Sequence, residues 1–410
     1  MDPLNIALLT VGVLVLALGL LTEPLKRSLL STPLVALAVG VVLGPAVTGL
    51  LDISEWGPDK TVLEQAARLT VAISLMGIAL RLPSRYPFTN WRPLAVLLGP
   101  LMVAMWIVSG LLVFLFLGLP FWAAMLVGAV ITPTDPVVAS SIVTGGTAER
   151  NLPSRLRHLL SGESGANDGL AYPLVFLPVL MLEHPPGAAL GEWALKVVLW
   201  EVGAAVVVGA LAGYGAGWLL EWAEARETIG KTSFLAYTVA LTLAVLGGAK
   251  LFGTDGVLAV FAAGLAFSLA VRDSERGEEE QAQEAFNSFF TLPAFVLLGL
   301  ALPWGEWLEL GWPAAALVLA VLLLRRLPAL LALSPLVSGL RGLGEALFYG
   351  WFGPVGIAAL FYATLALRET GVQEAWTVGS LVIFASVIAH GVTAAPLTKL
   401  YGRRAQEAGE

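Results

Sequence analysis

A series of thirteen long apolar runs, separated by short connections, constrains this chain more than any other feature. A helix needs roughly 20 apolar residues to cross about 30 Å of hydrocarbon, and each run is close to that length. The runs cover residues 4–22, 29–50, 62–82, 93–118, 121–145, 154–182, 193–221, 232–250, 254–271, 285–304, 311–333, 344–367 and 376–399. The sequence therefore predicts an all-α polytopic membrane protein with about thirteen transmembrane helices.

The composition supports this class and excludes several others. Apolar residues make up 57% of the chain and charged residues 13%, against about 45–50% and about 25% in soluble domains. The net charge of −7 argues against nucleic-acid binding. The chain has no cysteine and only three scattered histidines, so thiolate, zinc and haem sites are not expected. We therefore expect no cofactor.

The distribution of basic residues predicts the orientation. Thirteen spans place the two termini on opposite sides, and most arginines and lysines of the connections fall on the side of the C-terminus. Cytoplasmic loops carry an excess of such residues. We therefore predict a plasma (inner) membrane protein whose N-terminus lies outside and whose C-terminus is cytoplasmic.

Two of the runs contain residues that an unbroken helix disfavours. The fifth has Pro133 and Pro136, and the twelfth has Gly353, Pro354 and Gly356. Proline removes a backbone donor and clashes with the preceding turn, and opened backbone within a bilayer is tolerated only where it lines a cavity or is buried in protein. Paired broken helices in two halves of a chain indicate a transporter binding site. Spans 2–7 and 8–13 would form inverted six-helix repeats, although the breaks then fall in the fourth helix of one and the fifth of the other.

Ionisable residues within the spans are candidates for a functional site. Ser164 and Asp168 are four residues apart and share a helix face, and Glu163 and Asn167 form the neighbouring stripe. An arginine partner keeps a buried carboxylate ionised, whereas an unpaired one binds a proton or a cation. We expect Glu163 to pair with Arg326, with the adjacent Arg325 as the alternative partner, and we expect Asp168 to be the titrating group.

A sodium ion prefers hard oxygen ligands, by analogy with other hard cations. Asp168, Thr134, Ser164 and opened backbone carbonyls could supply them, so we expect a sodium ion at these residues. Competition between sodium and a proton for Asp168 would suffice for exchange. Asp135 could either cap a helix end at the fifth-span break or contact the cation, and the sequence leaves both roles open.

The segment "TPTDPVVASSIV", followed by "LRHLLSGESGANDGLAYPLVF", resembles sodium/proton antiporters of the NhaP/NHE class, within their bacterial and fungal branch. "GTDGVLAVFAAGLAFS", "RRLPALL", "ALFYGWFGPVGIAALFYA" and "AHGVTAAPL" are similar to further blocks of that branch in the same order. The resemblance implies an NhaA/NhaP-like fold and a homodimer that works by elevator-like alternating access. It implies a core domain mainly at 62–182 and 285–399, and a dimerisation domain mainly at 1–50 and 193–271.

The resemblance also assigns roles to residues. It implies a structural ion pair of Glu163 with Arg326, and the Asn167–Asp168 pair looks like the form associated with electroneutral one-for-one exchange. Val355 departs from the pattern, since many relatives have arginine there. The ion and proton site implied comprises Asp168, Asp135, Thr134, Ser164 and Asn167. The expected activity is sodium or lithium exchange for protons, with potassium/proton exchange as the alternative.

Three other classes of protein have weaker support. "GESG" at 162–165 fits the GxSG motif of intramembrane serine proteases, but that chemistry needs a histidine such as His390 within reach of Ser164. An aspartyl protease could use Asp135 and Asp168 as a dyad, although it would not explain the neighbouring oxygen-rich cluster. A cation channel would need a continuous pore, whereas paired broken helices suit alternating access.

Overall fold

The computed structural model describes residues 3–20, 31–143, 145–226, 234–271 and 280–407. Among these residues there are helices and no strand, so the all-α prediction is confirmed. The helices that form the predicted spans are α1 (Pro3–Leu20), α2 (Thr32–Leu43), α3 (Asp59–Arg81), α4 (Trp91–Leu117), α5a (Phe121–Val130), α5b (Pro136–Val143), α6 (Ser154–Glu183), α7 (Pro186–Glu224), α8 (Phe234–Leu251), α9 (Gly256–Ala270), α10 (Glu280–Leu300), α11a (Trp304–Leu324), α11b (Leu327–Leu333), α12a (Gly342–Trp351), α12b (Ile357–Thr370) and α13 (Gln373–Glu407). Four shorter helices lie between them, at Ile53–Trp56, Tyr86–Thr89, Gly145–Asn151 and Ser334–Leu336.

Each of the thirteen predicted runs coincides with one of these helices or with two short helices placed end to end. Seven of the described helices are long and apolar enough to cross a membrane by length and composition, and shorter apolar helices lie between them. Many large apolar side chains of α1, α4 and α7 are exposed, as expected of surfaces that face lipid or another membrane protein. The chain is a multi-pass membrane protein.

Both predicted helix breaks are present, and they contact each other. The fifth span ends its first helix at Val130 and resumes at Pro136, and the twelfth ends at Trp351 and resumes at Ile357. A proline in the first turn costs no helical hydrogen bond, because the N–H groups there have no partner within the helix. The backbone N–H of Asp135 donates to the carbonyl of Pro354 at 2.7 Å, so the two extended segments are directly bonded.

Glycines bring α6 into close contact with α9. A Cβ atom on Gly165 would lie 2.8 Å from the Phe261 ring, and one on Gly169 would lie 2.9 Å from Cβ of Leu258. These paired contacts show that α6 and α9 run antiparallel. Small residues allow membrane helices to approach in this way. The close packing fixes the position of Asp168, which precedes Gly169.

Helix α7 also packs against α9, and part of it is a π-helix. A Cβ atom on Gly213 of α7 would lie 2.0 Å from the carbonyl oxygen of Ala263, so these two backbones also touch. Residues Trp193–Ala204 of α7 form a π-helix, with hydrogen bonds between residues five apart. Such turns are rare and often occur at functional sites.

Candidate ion-binding site

Asp135 caps both helices that resume after the breaks. Its Oδ1 accepts hydrogen bonds from the N–H groups of Val137 (2.6 Å) and Val138 (3.0 Å), and its Oδ2 accepts one from the N–H of Ile357. The residue is 1% exposed. Helix N-termini carry partial positive charge and unpaired N–H groups, and a carboxylate satisfies both. Of the two roles that the sequence left open for Asp135, the structure shows the capping role.

Gly356 is the residue that allows Asp135 to reach the second helix. A Cβ atom at this position would lie 2.0 Å from Oδ2 of Asp135. No side chain larger than hydrogen fits without displacing the carboxylate from the N-terminus of α12b. The glycine of the "GPVG" break is therefore required by close packing.

Replacing Gly356 with alanine is expected to lower both the melting temperature and the transport rate, because the new methyl group displaces the Asp135 cap. Overpacking of this kind costs about 1–3 kcal/mol. Gly344→Ala is the matched control, since Gly344 lies in α12a with no atom within 4 Å of an added Cβ. Melting curves of the two purified variants give the comparison. Equal melting temperatures would show that the cap does not need the glycine.

Arg325 binds the C-terminal ends of the two helices that precede the breaks. Its Nη1 donates to the carbonyls of Ile131 (2.7 Å) and Thr132 (2.9 Å), and its Nη2 donates to the carbonyl of Gly353. The side chain is 4% exposed. The last carbonyls of a helix carry partial negative charge, so one guanidinium compensates the ends of α5a and α12a together. Arg325 therefore has partners other than Glu163.

Glu163 lies against Arg326. Two parallel hydrogen bonds join them, from Nη1 to Oε1 at 2.6 Å and from Nη2 to Oε2 at 2.8 Å, and both residues are at most 3% exposed. The hydroxyl of Tyr349 also donates to Oε2. Parallel pairing of this kind is the strong form of an arginine–carboxylate bond. The contact joins α6 to α12a and to the junction of α11a with α11b, as expected of a structural ion pair.

Asp168 differs from the other two acids because its carboxylate has no partner in the described part of the chain. The residue is 1% exposed, and neither Oδ1 nor Oδ2 has a hydrogen-bond partner among the described residues. Its backbone carbonyl accepts a hydrogen bond from the hydroxyl of Tyr362 at 2.6 Å, which anchors the helix turn without engaging the side chain. Buried polar atoms almost always have a partner. The two free oxygens can therefore receive a proton or a cation.

Asn167 joins α6 to the fifth-span break. Its Nδ2 donates to Oγ1 of Thr134 at 2.6 Å, and its Oδ1 accepts from the backbone N–H of Thr134 at 3.1 Å. The backbone N–H can only donate, so this second bond fixes which end of the amide is the oxygen. The amide is thus occupied in orienting the threonine. The hydroxyl of Ser164 makes only a long contact of 3.4 Å with the carbonyl of Ser161.

His390 supports the second break and lies in a network separate from Ser164. Its Nε2 donates to the carbonyl of Trp351 at 3.0 Å, and its Nδ1 lies 3.1 Å from Oγ of Ser386. That hydroxyl in turn accepts the N–H of Val355 at 2.7 Å. The histidine therefore binds the end of α12a, and the described residues show no Ser164–His390 hydrogen bond of the kind a serine protease needs.

Sequence reasoning did not identify several of these supporting residues. Tyr349 and Tyr362 lie 186 and 194 residues from the groups they bind, and Ser386 lies 31 residues from Val355. Only the pair Ser386 and His390 had a signal, because two polar residues four apart on an apolar helix share a face. The roles of the tyrosines depend on tertiary contacts that leave no local pattern.

Comparison with known proteins gives a consistent result. The sequence profile described as "Sodium/hydrogen exchanger, transmembrane" matches residues 11–400. Na+/H+ antiporter 2 of Zygosaccharomyces rouxii is 33% identical over 384 residues, which covers 86% of this chain and 47% of that protein. The Na+/H+ antiporter of Saccharomyces cerevisiae is 33% identical over 335 residues, with coverage of 80% and 34%. The chain therefore spans about half, or less, of the length of these relatives.

Other relatives are more distant in sequence. The K+/H+ antiporter NhaP2 of Shewanella oneidensis is 26% identical over 307 residues, which covers 72% of this chain and 50% of that protein. Among solved structures, the sodium proton antiporter MjNhaP1 from Methanocaldococcus jannaschii at pH 8 is similar with a TM-score of 0.72 and 17% identity, covering 98% of this chain and 99% of that chain. This likeness confirms the expected fold.

Proposed function

Because the chain belongs to the sodium/hydrogen exchanger family, we propose that it exchanges sodium or lithium for protons across the membrane by alternating access. The observation that carries the proposal is the pair of unpartnered, buried oxygens of Asp168. They lie beside two broken helices that are bonded to each other, and broken helices of this kind form the binding sites of many transporters. We propose no cofactor.

The charges around the site support a single exchangeable group. Asp135 faces two helix N-termini, Glu163 faces Arg326, and Arg325 faces helix carbonyls. Each of these charges has a compensating partner, whereas Asp168 has none among the described residues. An uncompensated buried charge is costly, so Asp168 is neutralised by a proton in one half of the cycle and by a cation in the other.

One acid that alternates between two monovalent ligands moves one proton for each cation. Asn167, which holds Thr134, adds no second titrating group. We therefore propose an electroneutral one-for-one exchange. In the proposed site the cation contacts Asp168, the Oγ1 of Thr134 and the Oγ of Ser164, and Asp135 and Asn167 hold the surrounding backbone. The Glu163–Arg326 pair keeps the core together.

The proposal also includes the division into domains, the oligomeric state and the orientation in the membrane. A core domain, mainly 62–182 and 285–399, carries the ion against a dimerisation domain, mainly 1–50 and 193–271, in a homodimer embedded in lipid. The exposed apolar side chains of α1 and α7 support a surface that faces lipid or a second copy. We propose a plasma (inner) membrane location with the N-terminus outside and the C-terminus in the cytoplasm, on the positive-inside rule.

The purified protein in proteoliposomes with an imposed pH gradient tests the function. Sodium and lithium are expected to dissipate the gradient, at a rate that does not change when the membrane potential is clamped at different values. A lack of cation-dependent proton flux between pH 6 and 9 would contradict the proposal. A strong dependence on voltage would contradict the electroneutral stoichiometry, and a current without proton coupling would indicate a cation channel.

Potassium/proton exchange is the second candidate. The relatives from Shewanella, at 24–26% identity, are K+/H+ antiporters by name, whereas the fungal relatives at 31–33% identity are Na+/H+ antiporters. The same liposomes with equal concentrations of sodium, lithium and potassium distinguish the two activities.

A further inference from the structure

A second pair of acids, outside the site described above, lies where α7 meets α9. Glu201 belongs to the π-helical part of α7, and Asp255 precedes the first residue of α9. The backbone N–H of Asp255 donates to the carbonyl of Glu201 at 2.9 Å, so the two residues are adjacent. Asp255 is 5% exposed and Glu201 is half-buried, which leaves one member of the pair accessible.

Each acid has one carboxylate oxygen without a hydrogen-bond partner among the described residues. Oδ1 of Asp255 caps α9 by accepting the N–H groups of Val257 (2.9 Å) and Leu258 (3.4 Å). Its Oδ2, and Oε2 of Glu201, are buried and have no hydrogen-bond partner among the described residues. Capping therefore involves only one of the two carboxylate oxygens of Asp255. An unpartnered buried carboxylate oxygen is a rare feature that needs an explanation.

Two tyrosines, Tyr172 and Tyr362, lie near this pair and near the backbone of Asp168. Tyr172 of α6 lies within electrostatic range of both Glu201 and Asp255. It follows Asp168 by one helical turn, about 6 Å along the axis. Tyr362, whose hydroxyl donates to the carbonyl of Asp168, lies within electrostatic range of both Tyr172 and Asp255. The packing agrees with this proximity, since Gly169 touches Leu258, three residues beyond Asp255.

The cationic side chains nearby do not occupy the free oxygens. Arg68 donates to the carbonyl of Leu246 at 3.2 Å and to the side chain of Gln65 at 3.4 Å, and Lys196 pairs with Glu192 at 2.9 Å. Arg68, Lys196 and Lys250 contribute to the electrostatic field around the two acids. The described hydrogen bonds and ion pairs join none of them to Glu201 or Asp255.

We propose that Glu201, Asp255 and Tyr172 form a second binding position for the transported monovalent cation, which Tyr172 links to the helix that carries Asp168, one turn away on α6. This inference rests on the proposed function and adds to it. The position offers hard oxygens, which alkali cations prefer, by analogy with other hard ions. It lies between residues of the proposed core domain and residues of the proposed dimerisation domain. A cation held there by the accessible Glu201 lies at the boundary that it has to cross to reach Asp168 from the dimerisation domain, and we call this pair a staging position.

The test compares Glu201→Gln, Asp255→Asn and Tyr172→Phe with the control Glu224→Gln, which makes the same change at an exposed position of the same helix. Asparagine caps helices as well as aspartate does, so Asp255→Asn removes charge and keeps the cap. In the liposome flux assay, the KM for sodium is expected to rise about fivefold in Glu201→Gln and Asp255→Asn, which corresponds to about 1 kcal/mol of lost ion-pair energy. Vmax is expected to change little, because the chemistry at Asp168 is intact.

A KM for sodium in both acid variants equal to that of Glu224→Gln would overturn the staging position. Loss of Vmax at an unchanged KM would overturn it as well. Tyr172→Phe is expected to give a smaller rise in KM, because it removes a neutral ligand. Sodium-dependent flux by the wild-type protein distinguishes failure of the antiport function from failure of the staging position. Absence of sodium-dependent flux in the wild type contradicts the antiport function itself, whereas flux with unchanged KM in the variants contradicts only the staging position.

Discussion

Replacement of Asp168 with asparagine is expected to abolish sodium-driven proton flux without unfolding the protein. The two side chains have nearly the same shape, and the bond from Tyr362 goes to the backbone carbonyl, so it persists. The asparagine can hold neither a proton for release nor a cation by charge. The melting temperature is expected to stay the same or rise, because a buried group that can carry an uncompensated charge has been removed.

The measurement is the initial rate of proton flux in proteoliposomes, together with the melting temperature of the purified variant. Asp52→Asn is the matched control, since it makes the same change in a side chain that only caps a short turn at Ser54 before α3. That control should transport at the wild-type rate. Flux retained by Asp168→Asn would remove Asp168 from the mechanism.

Replacement of Glu163 with alanine is expected to reduce stability more than it alters the affinity for sodium. The change leaves the guanidinium of Arg326, which is 3% exposed, without its counter-charge, and it removes the acceptor of Tyr349. Breaking one side of a buried ion pair costs about 3–5 kcal/mol. The melting temperature should therefore fall substantially, while the KM for sodium of the folded fraction stays near the wild-type value.

A double variant separates the ion pair from the packing around it. Replacement of both partners by apolar residues, as in Glu163→Leu with Arg326→Met, removes both charges and should recover part of the lost stability, because no unpaired charge remains. A large rise in the KM for sodium in Glu163→Ala, with an unchanged melting temperature, would show instead that Glu163 is a ligand of the ion.

The spans and the breaks could be predicted because their causes are local. A hydrocarbon layer demands about 20 apolar residues per helix. Closely spaced proline and glycine residues, as at the two breaks, disfavour a continuous helix, whereas single prolines such as Pro173 lie inside the unbroken α6. The division of the spans into two repeats stays a prediction. Taking spans 1–6 and 8–13 as the two halves, with span 7 as the connection, places each break in the fifth helix of its half, which the division into 2–7 and 8–13 does not. Hydropathy alone does not show which helix is the connection.

The partners of the charges could be predicted only in part. Arg325 and Arg326 are adjacent in the sequence, so they point in different directions, and only tertiary packing shows that Arg326 reaches Glu163 while Arg325 reaches the carbonyls of the two breaks. The unpartnered oxygens of Asp168 are likewise a property of the assembled core. The pair of Glu201 and Asp255 is separated by more than fifty residues, and no local pattern joins them.

The central claim is that sodium and a proton compete for the one carboxylate of Asp168. The direct test is the KM for sodium of the wild-type protein, measured in clamped proteoliposomes with the same pH on both sides over a series of pH values. If one proton excludes one cation, the KM rises about tenfold for each unit by which the pH falls below the ionisation of the site, while Vmax extrapolated to saturating sodium stays constant. A KM independent of pH, with Vmax falling as the solution becomes acidic, would contradict a shared site.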